Sequence, residues 1–164
     1  ENPRDRARVV QARWAVSAAR SRFCQLAVAQ LGRPVLWGAR GPEAFDCSGL
    51  VAWLLRGVGG PDLRATHNAQ KLYDETRRLT GAESPLPGDL AMYGADHAHI
   101  PHVAIWLGTM KILSADGATS RVLDLKSAQA NEAARVRLHE RPFRRDFLEF
   151  RRSVWLDNLD GVSR

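Results

Sequence analysis

The sequence predicts an α+β domain in which N-terminal helices pack on an antiparallel β-sheet. Three observations carry this. The chain has 164 residues, the length of one domain, and no linker, repeat or low-complexity tract divides it. Apolar residues recur at helical spacing through the first half. After Pro85, Pro87 and Gly88 the pattern changes to short apolar or β-branched runs divided by glycine. Helices first and strands afterwards, rather than the two alternating, is the order of an α+β fold.

Between Arg4 and Leu31 neither glycine nor proline interrupts, and Val9, Val10, Trp14, Ala18, Phe23, Leu26, Ala27 and Leu31 fall on one stripe. This predicts one long helix or two abutting ones, opened at Pro3 and stopped at Gly32. Residues 1–21 are expected to be a basic helical extension and residues 22–164 the main domain. Gly32, Pro34, Gly38, Gly41 and Pro42 mark a loop that runs to Asp46. Leu50, Val51, Trp53, Leu54 and Leu55 then form a short buried helix ended by Gly57. A third helix is expected from Thr66, as N-cap, to Arg78, with Ala69, Leu72 and Tyr73 inward. Strands follow at Asp89 to Tyr93, His102 to Leu107, Lys111 to Ala115 and Arg121 to Leu125. The alanine-rich stretch from Ser127 to Ala134 suits a helical turn, and Arg135 to His139 alternates as a last strand.

The charge is strongly basic: 24 Lys and Arg, of which 21 are Arg, against 18 Asp and Glu, a net +6. Both ends carry the excess, with six arginines from Glu1 to Arg22 and seven from Arg135 to Arg152. Such a chain prefers anionic surroundings: nucleic acid, anionic lipid or an acidic wall polymer. The arginines are not interleaved with an aromatic platform, which argues against nucleic acid. No apolar run is long enough for a transmembrane helix, and the N-terminus lacks the charged, apolar, small-residue pattern of an export signal. Two cysteines, Cys24 and Cys47, make no disulfide framework.

Cys47 lies in Phe45-Asp46-Cys47-Ser48-Gly49-Leu50, between the loop and the apolar helix. A thiol on the first turn of a helix meets unpaired N–H groups and the positive end of the dipole, which favour the thiolate and lead us to expect a depressed pKa. The small Ser48 and Gly49 let a carbonyl approach those N–H groups. On position alone, a nucleophile and a buried structural cysteine capped by Asp46 are equally good readings. His102 opens a strand whose alternation puts His102, Ala104 and Trp106 on one face, and at the sheet edge an imidazole could meet such a thiol. His97, His99 and His102 give the spacing H-x-H-x-x-H. Without a cysteine pair or H-E-x-x-H, and with Pro101 interrupting, no metal site is expected.

Together with Pro34-Val35-Leu36-Trp37-Gly38, Pro87-Gly88-Asp89-Leu90 and His102-Val103-Ala104-Ile105-Trp106-Leu107-Gly108, the Cys47 segment resembles the NlpC family of bacterial cell-wall cysteine peptidases. The blocks occur in the family's order, from about Arg22 to Phe150. The resemblance implies a papain-like fold, Cys47 as nucleophile, His102 as base and acid, and cleavage of peptidoglycan stem peptides, often between D-glutamate and the diamino acid. It places Asp46, Ser48, Trp37 and Val35 along the substrate, with Asp46 able to meet an ammonium, and it requires no cofactor. It also implies action at the bacterial cell wall, whether secreted, periplasmic or carried on a phage virion.

Two positions depart from the family pattern. Val35 replaces a tyrosine, and Ser114 stands where a His, Asn or Gln usually orients the histidine. Asp116, two residues on, is the alternative orienter. The Arg144 to Arg152 and Thr66 to Tyr73 stretches look like bacteriophage-borne members, in lysins or tail components, which suggests a virion or tail partner. The alternatives are an amidase or acyltransferase of the same fold, or a catalytically weakened wall-binding module. The two basic flanks are expected to hold the protein near an anionic wall, leaving the site itself nearly free of arginine.

Overall fold

In the computed structural model, residues 17–117 and 122–161 are described. The expected helix start at Pro3 therefore lies outside the described residues. The first described helix, α1, spans Ala18–Val28 and is capped by Ser17, whose side chain accepts from the Arg20 amide. The domain boundary expected after residue 21 falls inside it, and Ala19, Arg20, Phe23 and Ala27 are buried against the rest of the protein. Gly32 takes a positive φ of 86° as the chain leaves α1, a conformation open to glycine.

Helix α2 (Cys47–Gly57) is the central apolar helix, with Leu50, Val51, Ala52, Leu54 and Leu55 buried. Helix α3 (Ala69–Glu75) buries Ala69, Leu72 and Tyr73 as expected, but both its ends differ from the sequence reading. Its cap is Asn68, which accepts from the Lys71 amide, while the Thr66 hydroxyl is occupied by His67. Beyond Thr76 the chain extends, and Arg77–Arg78 forms a short strand, β1. Pairing with a distant strand here overrides local helical propensity.

The sheet continues with β2 (Leu90–Tyr93), β3 (His102–Gly108) and β4 (Lys111–Ala115). Of the strand expected over Arg121 to Leu125, Arg121 lies outside the described residues and 122–125 form no strand: Asp124 instead caps helix α4 (Leu125–Ala130) in a capping box with Ser127. Strand β5 (Val136–His139) follows, then β6 (Phe147–Arg152) and helix α5 (Val154–Leu159), neither of which the sequence reading anticipated. All neighbouring strands are antiparallel, in the order β1-β6-β2-β3-β4-β5. β2 to β5 form a meander, and β6 returns to lie beside β2.

Both faces of the sheet are covered. Val103, Ile105 and Leu107 pack with Phe23, Leu50 and Leu54 in the main core between helices and sheet. The opposite face carries Ala91, Tyr93, Ala104 and Ile112, covered by Trp106, Phe143, Phe147 and Phe150. The alternation read from sequence for β3 thus separates two apolar layers. The sheet contacts include all of β3, an interior strand, so His102 sits at a strand end and not on an edge strand.

Among the described residues, several arginines of the basic flanks are buried. Arg20 and Arg152 are each 2% exposed and share Asp89, which is fully buried, through ion pairs of 2.8 and 3.1 Å. Arg20 also meets Asp157 at 2.8 Å. The Arg151 guanidinium lies 4.3 Å over the Tyr73 ring and donates to the carbonyls of Tyr73 and Thr76. These arginines bind α1, α3 and α5 to the sheet.

Candidate active site

Cys47 is the first residue of α2, and its place is fixed from both sides. Asp46, the N-cap, accepts from the Gly49 amide at 2.5 Å and from the Gly38 amide at 2.9 Å. One carboxylate thereby pins the incoming loop to the helix start. Gly49 is required: a Cβ there would overlap the Ala39 carbonyl. Ser48 is buried and donates to Asp46 at 3.4 Å. The Cys47 thiol is half-buried and lies 3.9 Å from the Pro101 carbonyl, just before β3.

His102 is 6% exposed, in an aromatic setting formed edge-on by Tyr93 and Phe143. Its Nε2 lies 2.9 Å from Ser114 Oγ. The strand register explains this partner. Ile105 pairs with Leu113, so Ser114 stands opposite Ala104, on the face His102 shares. Asp116, one residue past the end of β4, is engaged elsewhere: His139 Nε2 is 3.0 Å from its Oδ2 and Arg137 3.6 Å from its Oδ1. It reaches His102 only as a nearby charge.

The cleft has two arms that meet at Cys47. One is lined by Asp46, Ser48, Thr66, His67, Arg40 and Pro101. The other is lined by Val35, Pro101, His102, Asp116 and Arg144. Trp37, 87% exposed, borders both. Val35 is buried and supplies no polar group. His67 is held on both nitrogens, by Thr66 Oγ1 at 2.7 Å and Glu75 at 2.8 Å. Arg144 and Arg40 correct the expectation that the site is nearly free of arginine. Arg144 was legible only as one member of an arginine-rich run, because its place depends on how the β5–β6 connection crosses the end of the sheet.

The three histidines of H-x-H-x-x-H separate: His97 meets Tyr73, His99 meets Asp96 and His102 meets Ser114. Among the described residues no group of three His, Cys, Asp or Glu side chains is placed to hold a metal ion. Nor is any helix of the described residues long and apolar enough to cross a membrane.

The electrostatics overturn one expectation. Burial pushes the Cys47 thiol up, and the Asp46 carboxylate adds to it; the backbone N–H groups of Val103, Ser48 and Cys47 oppose both and lose. The helix start is there, but its field is outweighed. Alkylation by iodoacetamide is therefore expected to show a midpoint above the ordinary thiol value of about 8.5, with buried Cys24 unreactive in the folded protein. A midpoint below pH 7 would restore the depressed thiol.

His102 moves the other way: burial first, and the Arg144 charge second, lower it to about 4. At neutral pH the pair at rest is thiol and neutral imidazole. The unfolded chain binds its proton near pH 6.5, so stability present above that value is lost as pH falls toward 4, by about 3 kcal/mol at most. Urea titrations should show this acid loss in the parent protein and a flatter curve between pH 6.5 and 4 in His102→Asn. Parallel curves would mean that His102 is not the group responsible.

Comparison with known proteins gives three findings. The family model described as the NlpC/P60 family matches residues 32–141, about two thirds of the chain. "Probable endopeptidase p60" of Listeria grayi is 34% identical over 85 residues, 52% of this chain and 16% of that protein. "Bifunctional muramidase/DL-endopeptidase CwlT" of Bacillus subtilis is 32% identical over 99 residues, 58% of this chain and 29% of that protein. The chain thus spans less than a third of either curated relative. Among solved structures, an NlpC/P60 family protein from Bacillus cereus superposes with a TM-score of 0.65 at 18% identity, covering 86% of this chain and 41% of that one.

Proposed function

The chain belongs to the NlpC/P60 family, and from that premise we propose that it is a peptidoglycan endopeptidase acting at the bacterial cell wall, with Cys47 as nucleophile and His102 as general base and acid. One observation carries the reading. A thiol on the first turn of a helix and an imidazole anchored through its Nε2 to Ser114 line the same cleft arm.

His102 is neutral near pH 7 and so is free to take a proton. As Cys47 sulfur attacks the scissile carbonyl carbon, the thiol proton passes to the imidazole and a C–S bond forms. Backbone N–H groups at the start of α2 are available to the resulting oxyanion. The imidazolium then gives its proton to the leaving amine as the C–N bond breaks, leaving a thioester. Water, deprotonated by His102, hydrolyses the thioester and restores the thiol. Ser114 acts as the orienter of His102, and Asp116, occupied by His139, does not.

Asp46 lines the groove while capping α2, and a carboxylate there suits an ammonium on the acyl side of the substrate. Val35 brings no hydroxyl to that side, and the exposed Trp37 is a platform for the stem peptide. Contact with an acidic wall polymer would fall to exposed arginines such as Arg22, Arg141 and Arg145, since Arg20, Arg151 and Arg152 are buried. Mass spectrometry of sacculus digests tests the reaction class: new N-termini at an internal stem-peptide bond are expected. Release of intact stem peptides from the glycan would instead identify an amidase.

A further inference from the structure

We propose that Arg144 selects the leaving residue of the substrate by binding a carboxylate on it, so that a diamino acid bearing a second carboxylate is preferred to lysine. The proposal rests on the peptidase reading above and deepens it.

The histidine must protonate the departing amine, so the leaving residue lies on the imidazole's side of the thiol. His102 lines only the arm that also contains Arg144. The released residue therefore sits between His102 and the Arg144 guanidinium. That guanidinium is held in place. Its Nε and Nη2 donate to Asp146 Oδ1 and Oδ2 at 2.9 and 2.8 Å, and it lies 5.8 Å over the Tyr93 ring. Its Nη1 makes no hydrogen bond among the described residues, and the side chain is 38% exposed.

Asp146 offsets much of the charge at a distance, but the remaining donors are directional and need no rearrangement to meet an anion. The other charged groups facing this arm are already committed: Asp116 to His139 and Arg137, and Asp46 to the helix cap. Arg144 also lies outside the segment matched by the family model, 32–141.

The experiment compares two synthetic peptides, L-alanyl-γ-D-glutamyl-diaminopimelate and L-alanyl-γ-D-glutamyl-lysine, which differ by one carboxylate. The parent protein should favour the first by about tenfold to a hundredfold in kcat/KM. In Arg144→Gln the ratio should fall to about one, and in Arg144→Lys to an intermediate value. A ratio near one in the parent, or one unchanged in Arg144→Gln, overturns the assignment. So does an equal loss on both peptides with a displaced acid limb of the pH profile, because Arg144 would then only tune His102. The same comparison can be made without turnover, by calorimetric binding of both peptides to Cys47→Ala. If neither peptide is cleaved by the parent protein, the peptidase reading fails, while equal affinities in that calorimetry overturn the Arg144 assignment independently.

Discussion

Cys47→Ala is expected to fold as the parent does and to release stem-peptide fragments about ten-thousandfold more slowly or not at all. The substitution removes one half-buried sulfur whose hydrogen bond to the Pro101 carbonyl is long, 3.9 Å. The helix cap is untouched, because Asp46 bonds to backbone amides of Gly49 and Gly38. Stability should therefore change little while the acyl-transfer step loses its nucleophile. The remaining groups offer no substitute: Ser48 is buried against Asp46, and Cys24 lies in the core. Equal product release by Cys47→Ala and the parent would remove Cys47 from the mechanism, and a melting point far below the parent's would make the variant uninformative on chemistry. The calorimetric binding described above covers that second outcome, since a folded, binding-competent protein is its precondition.

Asp89→Ala should have the largest effect on stability, about 3–5 kcal/mol. Asp89 is fully buried and gathers four groups: Arg20, Arg152 and the amides of Leu86 and Ser153. Among the described residues, removing its carboxylate leaves Arg152 without an acidic partner and Arg20 with Asp157 alone. A buried cation without its counter-ion costs far more than an exposed pair contributes. For a domain of this size the loss corresponds to a melting point lower by roughly 10 °C or more. Asp89→Asn, which keeps acceptor oxygen but not charge, should fall between. Thermal unfolding followed by circular dichroism measures both. A shift of only a degree or two for Asp89→Ala would show that the arginines rearrange to solvent and that the network contributes little. The sequence placed Asp89 within a family block and at the start of a strand; its role as the node joining α1, β2 and β6 depends on residues up to 69 positions away.

Periodicity and punctuation in the sequence determined much about this protein. They were enough for the α+β order, the buried helix after Asp46, three meander strands and a last strand close to their observed limits. The Cys47 and His102 candidates were legible too, because each sits at an element start that glycine, proline and alternation mark locally. What failed was governed by distant partners. Arg77 and Arg78 became a strand because β6 supplies a ladder, and Leu125 begins a helix because Asp124 and Ser127 close a capping box.

Only the tertiary structure shows that Ser114 meets His102 while Asp116 meets His139, since strand register sets these contacts. It also decided the protonation of the site. The dipole of α2 is a local property and argues for a thiolate, whereas the desolvation that outweighs it comes from packing by residues remote in the chain. Arginine divides the same way. Its number and its concentration at the two ends are facts of the sequence, but which arginines are buried struts, which face solvent and which one stands beside the thiol are consequences of the fold, because a charge acts through space and not along the chain.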